Sequence, residues 1–151
     1  YDGDPYYTGS TCLSMATLYD NLSAIDANSV TILLDACFSG GSRNNESLLA
    51  ESRPIYIEVE TGNIPENTIV FSAASGSEIS SSYKEKKHGL FTYYFLKGLS
   101  SGADENRDKK ITATEMIKYL NLHVPDRAKT MGREQHPQLL GSDVSRVILK
   151  Y

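Results

Sequence analysis

A thiol and a carboxylate close an apolar run. Val30-Thr31-Ile32-Leu33-Leu34 leads into Asp35-Ala36-Cys37-Phe38-Ser39-Gly40-Gly41. The run lacks the apolar/polar alternation of a half-solvated strand and reads as a strand covered on both faces, so Cys37 falls at its carboxyl end. Ligands of open α/β sheets bind at that edge. A cysteine fixed there can attack a carbonyl, and the glycines behind it let backbone N–H groups approach a developing oxyanion, an arrangement suited to acyl transfer. The same position also suits a small buried hydrophobe at a strand end. Asp35 shares the face of Cys37 by strand alternation. Negative charge beside a thiol raises its pKa and hinders attack, so the chemistry open to Asp35 is recognition of a cationic group such as a substrate Arg or Lys. The other reading of Asp35 is a carboxylate that caps or pairs inside the fold.

A thiol nucleophile needs a base, and histidine is the commonest one. The sequence holds three histidines. His88 precedes a helix and reads as a structural or capping residue. His123 follows a helix and His136 precedes Pro137, and both read as surface or packing residues. The second cysteine, Cys12, sits at a loop or helix start where burial is the expectation. Two cysteines without a Cys-x-x-Cys pair give no disulfide framework.

Asp104-Glu105-Asn106-Arg107-Asp108-Lys109-Lys110-Ile111-Thr112-Ala113-Thr114-Glu115 fits the twelve-position EF-hand calcium loop at positions 1, 3, 5, 8 and 12. Lys109 stands where glycine makes the sharp turn, and Arg107, Lys109 and Lys110 oppose a divalent cation. The loop therefore reads as a calcium candidate or as a solvated connection between helices.

The remaining elements are those that must position Cys37. Ser14 is placed to cap a helix whose Met15, Leu18, Tyr19, Leu22 and Ile25 recur on one face. Residues 40 to 67 read as a long polar connection with a short extended piece at Ile55 to Val59. Thr68 to Phe71 is a second buried-type strand, running into Ser72-Ala73-Ala74-Ser75-Gly76-Ser77, where small residues leave room for a ligand. A buried helix runs from Gly89 to Gly98 or Gly102, an amphipathic one from Thr114 to Leu122, and Val144 to Leu149 reads as a closing strand. Alternating strands and helices argue an α/β sandwich with a largely parallel sheet.

The chain has 151 residues, 40% of them hydrophobic and 23% charged, the makeup of one globular domain. A net charge of -4 without a dense basic run argues against a nucleic-acid partner. No apolar stretch approaches the roughly 20 residues that cross a bilayer, so no membrane partner is expected. Tyr1-Asp2-Gly3-Asp4-Pro5 lacks the layout of a signal peptide and reads as internal to a longer chain.

The segment Asp35-Ala36-Cys37-Phe38-Ser39-Gly40-Gly41 closely resembles the nucleophile motif of bacterial caspase-like peptidases and metacaspases, where Asp-x-Cys-x-Ser-Gly ends the third strand of a caspase-haemoglobinase fold. The Tyr1–Pro5 opening, the helix capped by Ser14, the strand end Phe71-Ser72-Ala73-Ala74-Ser75 and His88-Gly89-Leu90-Phe91-Thr92 resemble that family in the expected order. The resemblance covers nearly the whole chain. It implies a three-layer αβα sandwich with a mostly parallel sheet, and hydrolysis of peptide bonds by a Cys-His dyad with Cys37 as nucleophile. It implies also that Asp35 lines the pocket for an Arg or Lys at P1, and that Ser72, Ala74 and Ser75 belong to the loop that holds substrate backbone. Phe38 departs from the His of many metacaspases without touching the chemistry.

In caspase-like enzymes the histidine precedes the cysteine by about 50 residues, whereas Cys37 has 36 residues before it and no histidine among them. The resemblance thus implies that residues 1–151 are a partial domain, with the Gly-His-Gly turn, one oxyanion-hole N–H and two central strands upstream of Tyr1. An open edge on a central strand is an aggregation hazard, so a partner is expected over Val30–Leu34, either the N-terminal part of the same domain or a second chain. The other partner is a peptide or protein substrate with a basic P1, and self-cleavage after Arg43 follows from the same preference. No cofactor or metal is required. The alternative is a caspase-like module that binds without turnover.

Overall fold

The computed structural model describes residues 4, 7–36, 64–75 and 78–151. Cys37, Arg43, Ile55 to Val59 and most of the Tyr1–Pro5 opening lie outside the described residues. What is described is a mixed α/β fold. Its elements are α1 (Thr8–Thr11), α2 (Met15–Ser23), β1 (Val30–Leu34), β2 (Thr68–Ser72), β3 (Ser82–Tyr83), β4 (His88–Gly89), α3 (Leu90–Lys97), β5 (Lys110–Thr112), α4 (Ala113–Thr130), β6 (Gln138–Leu140) and β7 (Val147–Lys150). None of the described helices is long and apolar enough to cross a membrane.

The main sheet has the order β1-β2-β6. β1 and β2 are parallel, from Val30 beside Thr68 to Leu34 beside Ser72, so their carboxyl ends share one edge. β6 runs antiparallel on the other side of β2. Two small antiparallel pairs, β3 with β4 and β5 with β7, complete the strands. Among the described residues one of these four pairings is parallel and three are antiparallel.

β2 is buried along its whole length, as its apolar, β-branched run predicts. β1 differs from the expectation of cover on both faces: its residues alternate between half-buried and exposed, and Leu33 is 48% exposed. Among the described residues only β2 flanks it. An apolar run states what a strand is able to bury, and neighbours decide how much of it is buried.

The core forms where β2 meets α3 and α4. Phe71 meets Phe95 edge to face with ring centroids 5.3 Å apart, and Phe91 lies 5.9 Å from Phe95. Met116, Leu120, Val124 and Ala128 recur every fourth residue along α4 and are all fully buried. The helix was expected to stop at Leu122 but continues to Thr130 with Pro125 inside it. Pro removes one hydrogen bond and crowds the preceding turn, at a cost of about 3 kcal/mol; burial of Val124 and Ala128 on the same stripe offsets that cost. Thr112 and Glu115 form a reciprocal capping box at the start of α4. Ser14 caps α2 as expected, its hydroxyl accepting the Thr17 N–H at 3.0 Å. Cys12 is exposed rather than buried: it follows the four-residue α1 on a stretch whose neighbours are exposed too.

The lower end of the sheet is clipped by Arg146. Its Nη1 donates to the Val30 carbonyl at 3.2 Å and the Asn67 carbonyl at 2.7 Å, and its Nε donates to Asp143 at 3.2 Å. Gly141, after β6, has a φ of +118°, and a side chain there would meet the Thr68 carbonyl at 2.6 Å. Gly141→Ala is therefore expected to lower unfolding stability by roughly 1–3 kcal/mol, and Arg146→Met by about 1.5–3 kcal/mol. Denaturant unfolding checks both, and midpoints equal to wild type would contradict them.

Candidate active site

The parallel register of β1 and β2 sets Asp35 and the segment Ser72–Ser75 side by side at one sheet edge. The pairing runs one step past the strands, since the Ala73 N–H donates to the Leu34 carbonyl at 2.8 Å. Two of the sequence-derived site residues, Asp35 and Ser72, thus lie at neighbouring strand ends, with Ala74 and Ser75 following. Cys37 comes two residues after Asp35 in the chain and lies outside the described residues.

Asp35 is half-buried, and its two oxygens accept from two different segments. The Ser80 hydroxyl donates to Oδ1 at 2.5 Å. The Thr92 hydroxyl, in the first turn of α3, donates to Oδ2. Gly89, which precedes α3, leaves the space in which this carboxylate sits, and a side chain there would run into it. Three pieces distant in sequence therefore meet at one carboxyl group. Ser80 and Thr92 were not singled out by sequence reasoning, although Gly89 and Thr92 belong to the His88–Thr92 block that carried the resemblance.

The segment beyond β2 is moored by residues that follow α4. Gln135 is fully buried; its Oε1 accepts the Ser81 N–H at 2.8 Å and its Nε2 donates to the Ala73 carbonyl at 2.9 Å. Glu78 accepts the His136 backbone N–H at 2.7 Å and the Ser75 N–H at 3.2 Å, and its Oε1 lies 2.5 Å from His136 Nδ1. Inside the chain, Ser72 Oγ donates to the Ala74 carbonyl at 3.0 Å. These contacts fix the backbone of the segment that follows β2. Its two residues 76 and 77 lie outside the described residues.

The three histidines have separate places. His88 is exposed on β4, opposite Tyr83. His123, expected after a helix, lies inside α4 and is stacked on Tyr94 at 5.5 Å, with Tyr119 at 4.3 Å. His136 engages Glu78. Ring packing and hydrogen bonding thus account for His123 and His136.

In the Asp104–Glu115 loop the oxygens are engaged by the loop's own backbone. Asp104 accepts from the Asp108 and Lys109 N–H groups at 3.2 and 3.1 Å and from the Tyr151 hydroxyl at 2.7 Å. Asn106 and Asp108 accept from the Asp108 and Lys110 N–H groups, each at 2.9 Å. The Tyr151 hydroxyl holds the Asp104 carboxyl below the usual range; burial opposes it, and the backbone donors add to the lowering. Lys109 adopts a φ of +63°, the left-handed turn for which glycine is the usual residue. Among the described residues no group of three or more His, Cys, Asp or Glu side chains converges on a metal-sized space.

Glu78 supplies a pH dependence. Burial alone pushes its carboxyl up, but the hydrogen bonds from His136 and Ser75 together outweigh burial and hold it below the ordinary value. A carboxyl lowered in the folded state contributes stability above its unfolded value of about 4.3, and the contribution disappears as pH falls through the folded value. The stability difference between wild type and Glu78→Gln is thus expected to be present at about pH 5.5 and to close towards about pH 3. Unfolding titrations at the two pH values check this, and a constant difference would contradict it.

No family model matches the chain, and no curated protein matches it.

Proposed function

We propose that this chain is part of a caspase-like cysteine endopeptidase that cleaves after Arg or Lys, with Cys37 as the nucleophile. The observation that carries the reading is the placing of Asp35. The residue two before the cysteine lies at the shared carboxyl edge of a parallel strand pair, beside the moored Ser72–Ser75 segment. In this reading the Cys37 thiolate attacks the carbonyl after the basic residue, the amine leaves with a proton from the imidazolium of the dyad, and water hydrolyses the acyl-enzyme. Asp35 faces the P1 cation, and Ser72, Ala74 and Ser75 hold substrate backbone. This chemistry needs no metal ion.

The imidazole is supplied by a segment outside these residues. The places of His123, among aromatic rings, and of His136, on Glu78, support that assignment. The proposed architecture is a three-layer αβα sandwich in which β1 and β2 are neighbouring strands of a mostly parallel sheet. Further strands of the same domain, or a second chain, then cover the flank of β1 where Leu33 is 48% exposed.

The test is cleavage of fluorogenic peptides with Arg or Lys at P1 by the full-length protein and its Cys37→Ala variant. Turnover by wild type and a loss of at least about 10³-fold in the variant is the expected result, since removal of a nucleophile leaves only residual catalysis. Equal rates would remove Cys37 from the mechanism. A full-length protein without turnover that still binds such peptides would favour the non-catalytic caspase-like module instead.

A further inference from the structure

We propose that Ser80 and Thr92 are positioning residues whose hydroxyls hold the Asp35 carboxylate in one fixed orientation, in the space left by Gly89, so that it seats a cationic substrate side chain. The inference rests on the peptidase reading for the identity of the substrate and on the geometry at Asp35 for the residues.

A carboxylate on one methylene rotates broadly about its last bond. Its pairing with a guanidinium or ammonium group depends on the direction of its oxygens. Here each oxygen has its own hydroxyl donor: Ser80 on Oδ1 and Thr92 on Oδ2. Two donors on two oxygens fix both the plane of the group and its rotation, which one donor could not do. They also come from rigid supports. Ser80 is fully buried in the segment moored through Ser81 to Gln135, and Thr92 lies in the first turn of α3.

The chemical character of the donors matters as much as their number. A Lys or Arg in place of either hydroxyl would hold the carboxylate by cancelling its charge. Ser and Thr are neutral, so these two contacts orient the group without themselves cancelling its charge. Gly89 makes the arrangement possible by adding no atoms where the carboxylate lies. A group oriented before the ligand arrives spares the ordering cost at the moment of binding, so the benefit falls on ground-state affinity.

The test pairs a binding assay with a turnover assay on the full-length protein. Ser80→Ala and Thr92→Val remove one hydroxyl each, and Thr92→Ser keeps the donor. Binding of agmatine, a small guanidinium probe, is expected to weaken roughly tenfold in each hydroxyl-deleted variant and to recover in Thr92→Ser. With matched peptides bearing Arg or the neutral isostere citrulline at P1, the same two variants are expected to raise KM for the Arg peptide by a similar factor at nearly unchanged kcat. The Arg-over-citrulline preference falls with it. Partial misfolding would lower both peptides alike and leave that ratio where it was.

An unchanged ratio and unchanged agmatine affinity in both variants, with Cys37-dependent cleavage after Arg intact, would overturn the positioning role and leave the peptidase reading standing. Agmatine binding that depends on Ser80, Thr92 and Asp35 in a protein that cleaves no peptide would support the cation seat and overturn the peptidase reading. Absence of both binding and cleavage would overturn the two together.

Discussion

The meeting of Asp35 with Ser80 and Thr92 is the constraint on which the upper sheet edge depends. Parallel pairing of β1 with β2 brings two chain ends out at the same place, and each has to be caught by something that comes later in the sequence. Asp35 is caught 45 residues on by Ser80 and 57 residues on by Thr92. A half-buried carboxylate left without such donors would carry a desolvation cost of order 1–3 kcal/mol or more. The three segments are therefore coupled: moving α3, displacing the Ser80 segment or adding a side chain at Gly89 all bear on the same carboxyl group.

A second fastening acts at the opposite end of the sheet. Arg146 joins the starts of β1 and β2 through their carbonyls, while Asn67 reaches the Ala27 carbonyl at 2.9 Å. The parallel pair is thus held at its entrance by a guanidinium and at its exit by hydroxyls. Between the two ends β2 is wholly buried beneath α3 and α4. The strand pair is fixed at both ends and β2 is packed in the middle, the kind of support a site at a strand end requires.

Local chemistry made a good part of this legible in the sequence. The Ser14 cap and the buried character of Thr68 to Phe71 follow from side-chain type and nearest neighbours, and of the two glycines offered as the end of α3, Gly98 and Gly102, the first is the one where it ends. The capping box of Thr112 and Glu115 is hidden in the sequence because the same residues also fit a calcium-loop pattern. The continuation of α4 past Pro125 was hidden by a local rule, since the ring's cost is visible in the sequence and the burial of Val124 and Ala128 is not. β6 is three residues long and takes its identity from antiparallel pairing with β2, a partner 70 residues away in the chain at Val70 and Leu140. The partial exposure of β1 could not be read either, because an apolar run carries no record of which neighbours flank it. At the candidate site, the motif and the strand end point to Asp35, Ser72, Ala74 and Ser75, which the strand register sets at one sheet edge. They do not point to Ser80, Gln135 or the Glu78–His136 pair, because a polar residue in a loop shows nothing of a partner 45 to 62 residues distant.

Gln135 has a consequence for the order in which the molecule can be completed. Its amide joins Ala73 and Ser81 from positions 62 and 54 residues further along the chain. Closing contacts of that span is entropically costly until intervening elements have shortened the effective loop. Synthesis runs from the amino terminus, so Ala73 and Ser81 are both made before the glutamine that joins them. In the folded molecule the contact is made by the chain that follows α4. This sheet edge is translated well before the residue that ties its two segments together.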